Sequence, residues 1–421
     1  MKRSYINEII PSEKPKKVLL KGWVQRIRLF GNLAFIILRD FTGTIQCVAL
    51  KKNLPYFLDI KKITPESVIE IQGTVKKNKE AKKGYEVIIK KLKILSKAST
   101  PLPIDIEKSH THLDKRLDHR FLDLRRPEIQ AIFKIQAKIL QAFRSFFIEE
   151  NFLEIVPPIL IEEASEGGTD VFPVKYFEKT AYLAQSPQLY KQMAISAGLE
   201  KVFMITPVFR AEKHNTTRHL NESRQLDIEI GFANHEKAMK YLEKCLVYIL
   251  KNIKKTCKEE LKLLNTTIKI PKLPFKRLTY NQICKNLKMK YGEDLKPEHE
   301  KILSKNEPVF ITEWPLTLKP FYAMPSSKNP KLSNSFDLLY KGLELASGAQ
   351  RIHDNKLLAQ RFKAKSLNPV NFKNYIESFI YGCPEHAGWS IGLERLTMAI
   401  CNLSNIREAA LFPRDRNRLS P

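Results

Sequence analysis

The sequence predicts an α+β protein: a small N-terminal β-barrel of the OB type, then a larger unit combining strands with amphipathic helices. Three observations carry this. Between residues 18 and 96, short apolar runs alternate with polar residues and are punctuated by turn residues. From Pro127 onward, apolar residues recur at helical spacing. Two β-rich segments, 202–209 and 226–232, flank a charged turn, the pattern of an antiparallel pair.

With 421 residues, 43% of them hydrophobic, the chain has room for two or three domains with full cores. Lys and Arg outnumber Asp and Glu 72 to 45, a net charge of +27, and such a field attracts polyphosphates and nucleic acid. A generally lysine-rich composition explains the excess equally well, so charge alone decides little. The cysteines Cys47, Cys245, Cys257, Cys284, Cys383 and Cys401 form no CxxC pair and no His/Cys ligand spacing. That argues against zinc and against a disulfide framework, and fits a reduced compartment. The first residues lack the apolar run of a signal peptide, and no stretch approaches the roughly 18 apolar residues of a membrane span. A cytoplasmic protein without membrane contact is expected.

In the N-terminal region the runs 18–23, 33–38, 44–50, 67–73 and 85–89 are separated by Gly31, by residues 40–43 and by Lys83 and Gly84. Five short strands suit a small OB barrel. Such barrels bind single-stranded nucleic acid by stacking bases on aromatic rings within a basic groove. Trp23, Arg26, Arg28, Phe30, Phe35, Arg39 and Gln46 are the candidates here. Trp23 is expected in the barrel core instead, while Phe35 is open between core and groove. Residues 99–126, with Pro101, Pro103 and a charged run from Leu113, read as a hinge between two folding units.

Pro127 opens a long amphipathic helix, with Ile132, Ile135, Ile139, Phe143 and Phe146 on one face. Residues 152–161 read as a strand interrupted by Pro157 and Pro158, which belongs at a sheet edge and suits a dimer contact. Residues 236–305 read as a lysine-studded, solvated helix without chemistry. Strand character returns at 308–315 and 319–324, and again at 335–353, where polar groups are dense. Residues 388–400 read as a glycine-entered helix.

The chain has neither a GxxxxGK[ST] loop nor a GxGxxG after a strand. A polyanion such as ATP must then be held by side chains. Arginine suits this, because its permanently charged planar fork pairs with phosphate oxygens. Arg210 in the charged turn and Arg395 are the candidates.

Pro157, the Phe209-Arg210-Ala-Glu212 loop and Gly392-Leu-Glu-Arg395 resemble motifs 1, 2 and 3 of class II aminoacyl-tRNA synthetases. The segments Glu166-Gly-Gly-Thr-Asp170, Gln185-Ser-Pro-Gln-Leu-Tyr-Lys-Gln192, Ser347-Gly-Ala-Gln-Arg-Ile-His353 and Leu411-Phe-Pro-Arg-Asp-Arg416 narrow the likeness to aspartyl-tRNA synthetases of the archaeal and eukaryotic type. The resemblance covers nearly the whole chain. It implies an anticodon-binding OB domain over residues 1–98, the hinge at 99–126, and a class II catalytic domain over 127–421. In the latter, an antiparallel sheet is flanked by helices.

The same resemblance implies an ATP-dependent ligase that joins L-aspartate to tRNA(Asp) through aspartyl-adenylate, as a homodimer. Arg210 and Arg395 are the expected catalytic residues, and Glu212, Arg218, His219, Leu220, Glu344 and Gly392 complete the ATP site. Glu344 and Ser347, helped by Asp337, are expected to hold Mg²⁺, a hard cation that keeps part of its water shell and bridges phosphates. Lys191 and Arg351 are expected to receive the substrate's side-chain carboxylate, and Glu166, Gln188, Asp227 and Ser186 its ammonium. The paired glycines beside Glu166 suggest a mobile lid. In the barrel, Arg26, Phe35 and Gln46 fall at anticodon-binding positions.

Ser223 stands where many relatives carry a phenylalanine that stacks on adenine, and Arg224 and Gln225 also depart from the archaeal pattern. Three neighbouring readings compete. An asparagine-specific relative is opposed by the cations Lys191 and Arg351, against which an amide would place its own donors. An asparagine synthetase derived from the catalytic domain would lack the barrel. A non-enzymatic RNA-binding relative should have lost Arg210, Glu344 or Arg395. Whether tRNA(Asn) is charged as well stays open, and the resemblance places that choice near Gln25 and Lys82.

Overall fold

The computed structural model describes residues 1–10, 16–53, 57–107, 111–162 and 170–421. They form two compact units, Met1–Asp105 and Ile106–Pro421.

In the first unit, β1 (Lys16–Phe30), β2 (Leu33–Asp40), β3 (Gly43–Leu50), β4 (Val68–Lys77) and β5 (Tyr85–Ser96) close into a barrel of order β1-β2-β3-β5-β4. Strand alternation sends Val18, Leu20, Val24, Ala34, Ile36, Leu38, Ile45, Cys47 and Ala49 into one core. Trp23 and Phe35 are out of phase with these residues and are half-buried on the barrel wall. The expectation of a core Trp23 therefore fails, because strand parity, not side-chain hydrophobicity, sets the face. Arg39 is not a groove cation either: it is buried and pairs with Glu66 at 2.7 Å.

The second unit opens with α1 (Leu113–Asp118), α2 (Arg120–Asp123) and α3 (Pro127–Glu149). Residues 113–126 are thus not a hinge. The Asp123 carboxylate is wholly buried between Arg116 at 2.9 Å and Arg120 at 2.7 Å, and Arg120 also donates to the Leu411 and Ala410 carbonyls at 3.0 Å. The charge run that reads as a solvated connection is an internal clamp. α3 begins with Pro127 at its first turn, and its Ile132, Ile135, Ile139, Phe143 and Phe146 are buried as the spacing predicts.

Next come β6 (Leu153–Glu154), β7 (Leu160–Ile161), β8 (Pro173–Tyr176), β9 (Lys179–Leu183), α4 (Gln188–Ser196), β10 (Lys201–Phe209), β11 (Glu222–Gly231) and α5 (His235–Thr256). They are followed by α6 (Lys258–Leu263), β12 (Lys276–Thr279), α7 (Tyr280–Leu287), α8 (Pro297–Ser304), β13 (Val309–Thr312), β14 (Ser335–Tyr340) and β15 (Leu343–Arg351). The unit ends with α9 (Asn355–Ala364), α10 (Lys373–Ile380), β16 (His386–Gly392) and α11 (Leu393–Cys401). The main sheet has the order β12-β13-β14-β15-β16-β11-β10-β6. It is antiparallel except at its two margins, where β12 pairs β13 and β6 pairs β10 in parallel.

Three sequence expectations change here. Residues 152–161 give two short strands either side of the prolines, β6 in the main sheet at its edge and β7 in a small sheet with β9 and β8. Residues 236–305 are one long helix only as far as Thr256, after which turns and prolines admit β12 and three short helices. Residues 388–392 belong to a strand, and the helix starts at Leu393. Trp389 and Ile391 point into the core while Ser390 points the other way, which is period two and not 3.6. No helix among the described residues is long and apolar enough to cross a membrane.

One face of the sheet carries Leu226, Ile228, Ile230, Phe336, Leu338, Trp389 and Ile391 and packs into the core with α3, α5 and α11. The opposite face is polar, and it builds the site.

Candidate active site

Along β11, alternation places Ser223, Gln225, Asp227 and Glu229 on the polar face. The same parity presents Ser347, Ala349 and Arg351 from β15, and Ser390 and Gly392 from β16. All of these except Glu229, which lies behind Asp227, line a cavity of about 430 Å³ together with Ser186, Gln188 and Lys191 from α4 and its approach, and Arg210, Glu212, Arg218, His219 and Leu220 from the β10–β11 loop. Glu344, Lys319, Tyr322, Glu394 and Arg395 complete its wall.

At one end Lys191 is buried, with Nζ 2.6 Å from Asp227 Oδ1 and 3.4 Å from Glu229 Oε2. Ser390 donates to the other Asp227 oxygen at 2.8 Å. Arg351 grips Glu229 by two edges of a fork, Nε to Oε1 at 2.9 Å and Nη2 to Oε2 at 3.2 Å. Burial alone would raise the Glu229 carboxyl, but the Arg351 and Lys191 charges override it and hold the group below its ordinary range. Gly388 makes this possible: a β-carbon there would collide with Glu229 Oε2 and the Ile228 carbonyl.

Behind this cluster Gln192 is held from both sides. Its carbonyl accepts from Gln188 Nε2 and from the Tyr375 hydroxyl at 3.0 Å each, and its Nε2 meets His386 Nε2 at 3.0 Å. His386 Nδ1 lies 2.8 Å from the Pro384 carbonyl. With a carbonyl on Nδ1 and an amide donor on Nε2, the ring is neutral with its proton on Nδ1. Burial depresses its pKa to about 4, consistent with that assignment.

The loop between β10 and β11 is tied at its base and its flank. Arg210 N–H donates to the Asn221 carbonyl at 2.9 Å, and Asn221 Nδ2 donates back to the Arg210 and Glu212 carbonyls at 2.6 and 3.2 Å. Arg407 donates to the Thr216 carbonyl at 3.1 Å and to Asn215 Oδ1. Arg218 is not an unengaged cation: it pairs with Glu300 at 2.8 Å and donates to the Gly342 carbonyl at 2.8 Å. Arg395, at the start of α11, donates to the Glu344 carbonyl at 3.0 Å and lies 3.5 Å from His219 Nε2. Burial and the Arg395 charge push the His219 imidazole below its ordinary range. Among the described residues that line the cavity, the aromatic rings are those of Tyr322 and His219. Tyr322 lies under Arg351, its centroid 5.5 Å from the guanidinium carbon.

Glu344 and Ser347 are three residues apart, which in a regular strand would put them on opposite faces. A β-bulge cancels the offset: Leu338 pairs with Ala346 and Leu339 with Glu344, leaving Leu345 extra, and both polar side chains reach the cavity. Asp337 is the register partner of Ser347. It is buried, with Oδ2 taken by Lys319 Nζ at 2.6 Å and Oδ1 without a hydrogen-bond partner among the described residues. Burial and the Asp337 charge raise the Glu344 pKa. Among the described residues no three His, Cys, Asp or Glu side chains cluster to hold an ion by themselves. The Glu344 and Asp337 carboxylates and the Ser347 hydroxyl nevertheless fit Mg²⁺, which is commonly held by one or two carboxylates jointly with phosphate and water.

Of the residues expected from sequence, the cavity thus gathers Ser186, Gln188, Lys191, Arg210, Glu212, Arg218, His219, Leu220, Asp227, Glu344, Ser347, Arg351, Gly392 and Arg395. Asp337 reaches it through Lys319. Glu166 and its glycines lie outside the described residues. Arg26, Phe35 and Gln46 sit in the barrel unit. There Gln46 donates to Glu86 at 2.8 Å, and Phe35 meets Phe30 edge-on at 6.0 Å. Sequence reasoning missed Glu229, Lys319 and Glu394. Glu229 was within reach of it, since it follows Asp227 by one strand period.

Residues 112–416 match the family described as tRNA synthetases class II (D, K and N), and residues 18–95 match the OB-fold nucleic acid binding domain. The chain is 46% identical to an aspartate--tRNA(Asp/Asn) ligase of Archaeoglobus fulgidus, and 44% identical to an aspartate--tRNA(Asp) ligase of Thermoplasma acidophilum. Each match covers all of both chains. Among solved structures it is similar to asparaginyl-tRNA synthetase from Pyrococcus horikoshii complexed with asparaginyl-adenylate, with a TM-score of 0.94 and 33% identity over the whole of both chains. Sequence, fold and the cavity's composition agree: the chain belongs to the class II tRNA synthetases of the D, K and N group.

Proposed function

We propose that this chain ligates L-aspartate to tRNA(Asp) through an aspartyl-adenylate. In the first step an α-carboxylate oxygen of aspartate attacks the α-phosphorus of ATP, and the bond to pyrophosphate breaks. In the second, the terminal ribose hydroxyl of the tRNA attacks the aspartyl carbonyl, and AMP leaves. Neither step needs a protein nucleophile, so positioning and charge carry the catalysis.

The observation that supports aspartate is the state of Arg351. Glu229 holds its Nε and Nη2, and Nη1 has no hydrogen bond among the described residues. A guanidinium fixed on one side, beside the buried Lys191 ammonium, suits a second carboxylate on the other. The amide of asparagine would set its NH₂ donors against both cations. Asp227, Glu166 and Gln188 receive the substrate ammonium, and Ser186 steadies them by accepting from the Gln188 N–H at 3.0 Å.

Arg210 takes the α-phosphate, Arg218 and the neutral His219 face the outer phosphates, and Arg395 takes the γ-phosphate while lying over the base. Glu212 meets the adenine amino group or the ribose end, and Leu220 and Gly392 complete the ATP site. Mg²⁺ held by Glu344 and Ser347, with Asp337 beside them, supplies charge that neutralises the triphosphate. The barrel binds the anticodon through Arg26, Phe35 and Gln46. Ile148, Leu153 and Val156 leave apolar surface exposed around the edge strand β6, where two copies pair. The enzyme works in the cytoplasm.

The test is pyrophosphate exchange. Aspartate-dependent exchange is expected and asparagine-dependent exchange is not; the reverse result would move the chain to the asparagine-specific reading. A second reading, in which tRNA(Asn) is also aspartylated, is favoured by the name of the A. fulgidus relative and not by that of the T. acidophilum one. Charging purified tRNA(Asp) and tRNA(Asn) side by side decides it, comparable rates meaning that both are substrates.

A further inference from the structure

Lys319 has no part in the mechanism above, yet it lines the cavity at the metal end. It follows a short 3₁₀ turn, Leu316–Leu318, and precedes Pro320, which fixes the backbone on that side. Its ammonium lies 2.6 Å from Asp337 Oδ2 and 4.1 Å from the centroid of the Trp314 ring, and both partners are buried. The other Asp337 oxygen has no hydrogen-bond partner among the described residues.

These contacts define a problem and its solution. Two carboxylates that are to share one divalent cation repel each other when the cation is away, and a buried carboxylate left alone is costly. Lysine can compensate reversibly. It is a compact point charge on a flexible stem, whereas an arginine would lock a carboxylate in a bidentate fork. Among the described residues the pairing engages only one of the two Asp337 oxygens.

We propose that Lys319 is a resident counter-ion which a divalent cation displaces from Asp337, and whose released ammonium then binds the polyphosphate that arrives with the metal. The inference rests on the reading of this cavity as a metal–nucleotide site. It makes Lys319 a positioning residue before the nucleotide enters and a substrate-binding residue afterwards. The two roles have opposite signatures: removing the charge relieves competition for the metal and weakens binding of the nucleotide.

The test uses the full chain, Mn²⁺ as the probe ion read by electron paramagnetic resonance, and a non-hydrolysable ATP analogue, all without aspartate so that nothing turns over. Lys319→Met keeps the length of the stem and removes its charge. It is expected to bind Mn²⁺ alone several-fold more tightly than wild type, and to need about tenfold more analogue at saturating Mn²⁺, the scale of one lost charge-assisted contact. Adding Asp337→Asn should abolish the gain in Mn²⁺ affinity. Lys319→Arg, which retains the charge but would grip Asp337 in a fork, should show no gain in Mn²⁺ affinity and serves as the charged reference if the methionine variant folds poorly. In that event Lys319→Gln replaces it. Unchanged or weaker Mn²⁺ binding by a folded, uncharged variant would overturn the displacement, and unchanged analogue binding would overturn the phosphate role. If wild type binds neither Mn²⁺ nor the analogue, the metal–nucleotide reading itself fails, a result distinct from both.

Discussion

The Glu229 carboxylate holds the Arg351 guanidinium by two hydrogen bonds, of 2.9 and 3.2 Å, across 122 positions of sequence. Both side chains are almost completely buried. Arg351 can therefore meet a ligand only in the orientation that Glu229 permits, and Lys191 closes on the same carboxylate from a third element.

Glu229→Gln should consequently be damaging although Glu229 is held away from the substrate by the arginine it orients. Breaking a buried ion pair from one side costs about 3–5 kcal/mol, and urea denaturation should show a loss of that order. In the fraction that folds, the KM for aspartate in pyrophosphate exchange should rise about a hundredfold, with the KM for ATP changed far less. Equal effects on both substrates would mean that Glu229 supports the fold and not the aspartate end.

Asn221→Ala addresses the other end of the cavity. The Asn221 amide ties together the carbonyls of Arg210 and Glu212, so its loss should loosen the β10–β11 loop without touching Lys191 or Arg351. The expected outcome is about a tenfold rise in the KM for ATP, the scale of one or two lost hydrogen bonds, with aspartate affinity retained. Substrate titrations of pyrophosphate exchange would show it.

Two buried groups pull stability in opposite directions with pH. The His386 pKa is depressed from 6.5 to about 4; its contribution is intact above pH 6.5 and is lost as pH falls through 4. Burial, partly offset by the Arg224 N–H, pushes the Glu394 carboxyl up from 4.5 to about 7; its contribution is intact below pH 4.5 and is lost as pH rises through 7. Each amounts to about 3 kcal/mol from the shift alone. Glu394→Gln should therefore unmask a fall in stability between pH 6.5 and 4, and His386→Gln a fall between pH 4.5 and 7. Denaturant midpoints across this range for the two variants check both signs.

Phe35→Ala separates the barrel from the chemistry. Phe35 is half-buried on the barrel wall, outside the barrel core, and loss of one stacked base costs about 1–3 kcal/mol. The KM for tRNA(Asp) should rise about tenfold or more while aspartate-dependent pyrophosphate exchange stays at the wild-type rate. A matching fall in exchange would place Phe35 in barrel stability instead.

The legible and illegible parts of the site differ in kind. The alternation Leu226-Asp-Ile-Glu-Ile230 announces which side chains share a face, whereas Asp227 is singled out as a site residue by the family resemblance. Glu229 shares that face, but its partner Arg351 is brought beside it only by the fold. Residues 388–392 were misread as helix because the glycines and Ser390 obscure a period of two. Gly388 is there for close packing against Glu229 and Ile228, not for a helical turn. Residues 113–126 look like a solvated charge run because a sequence does not show that Arg120 and Asp123 bury each other against residues 410 and 411.

By itself the sequence determined the α+β plan, the barrel ahead of the larger unit, the buried face of α3, and the motifs of the class II tRNA synthetase family. These follow from local periodicity and from motifs read in order. Only the tertiary structure decided how the charges are paired: Lys191 with Asp227 and Glu229, Arg218 with Glu300, Asp337 with Lys319. It alone also revealed the extra residue at Leu345 that turns Glu344 and Ser347 to one side. The physical reason is distance along the chain. A strand's face is set by its neighbours in sequence, but a counter-ion or a shifted register is set by whichever element the fold brings alongside.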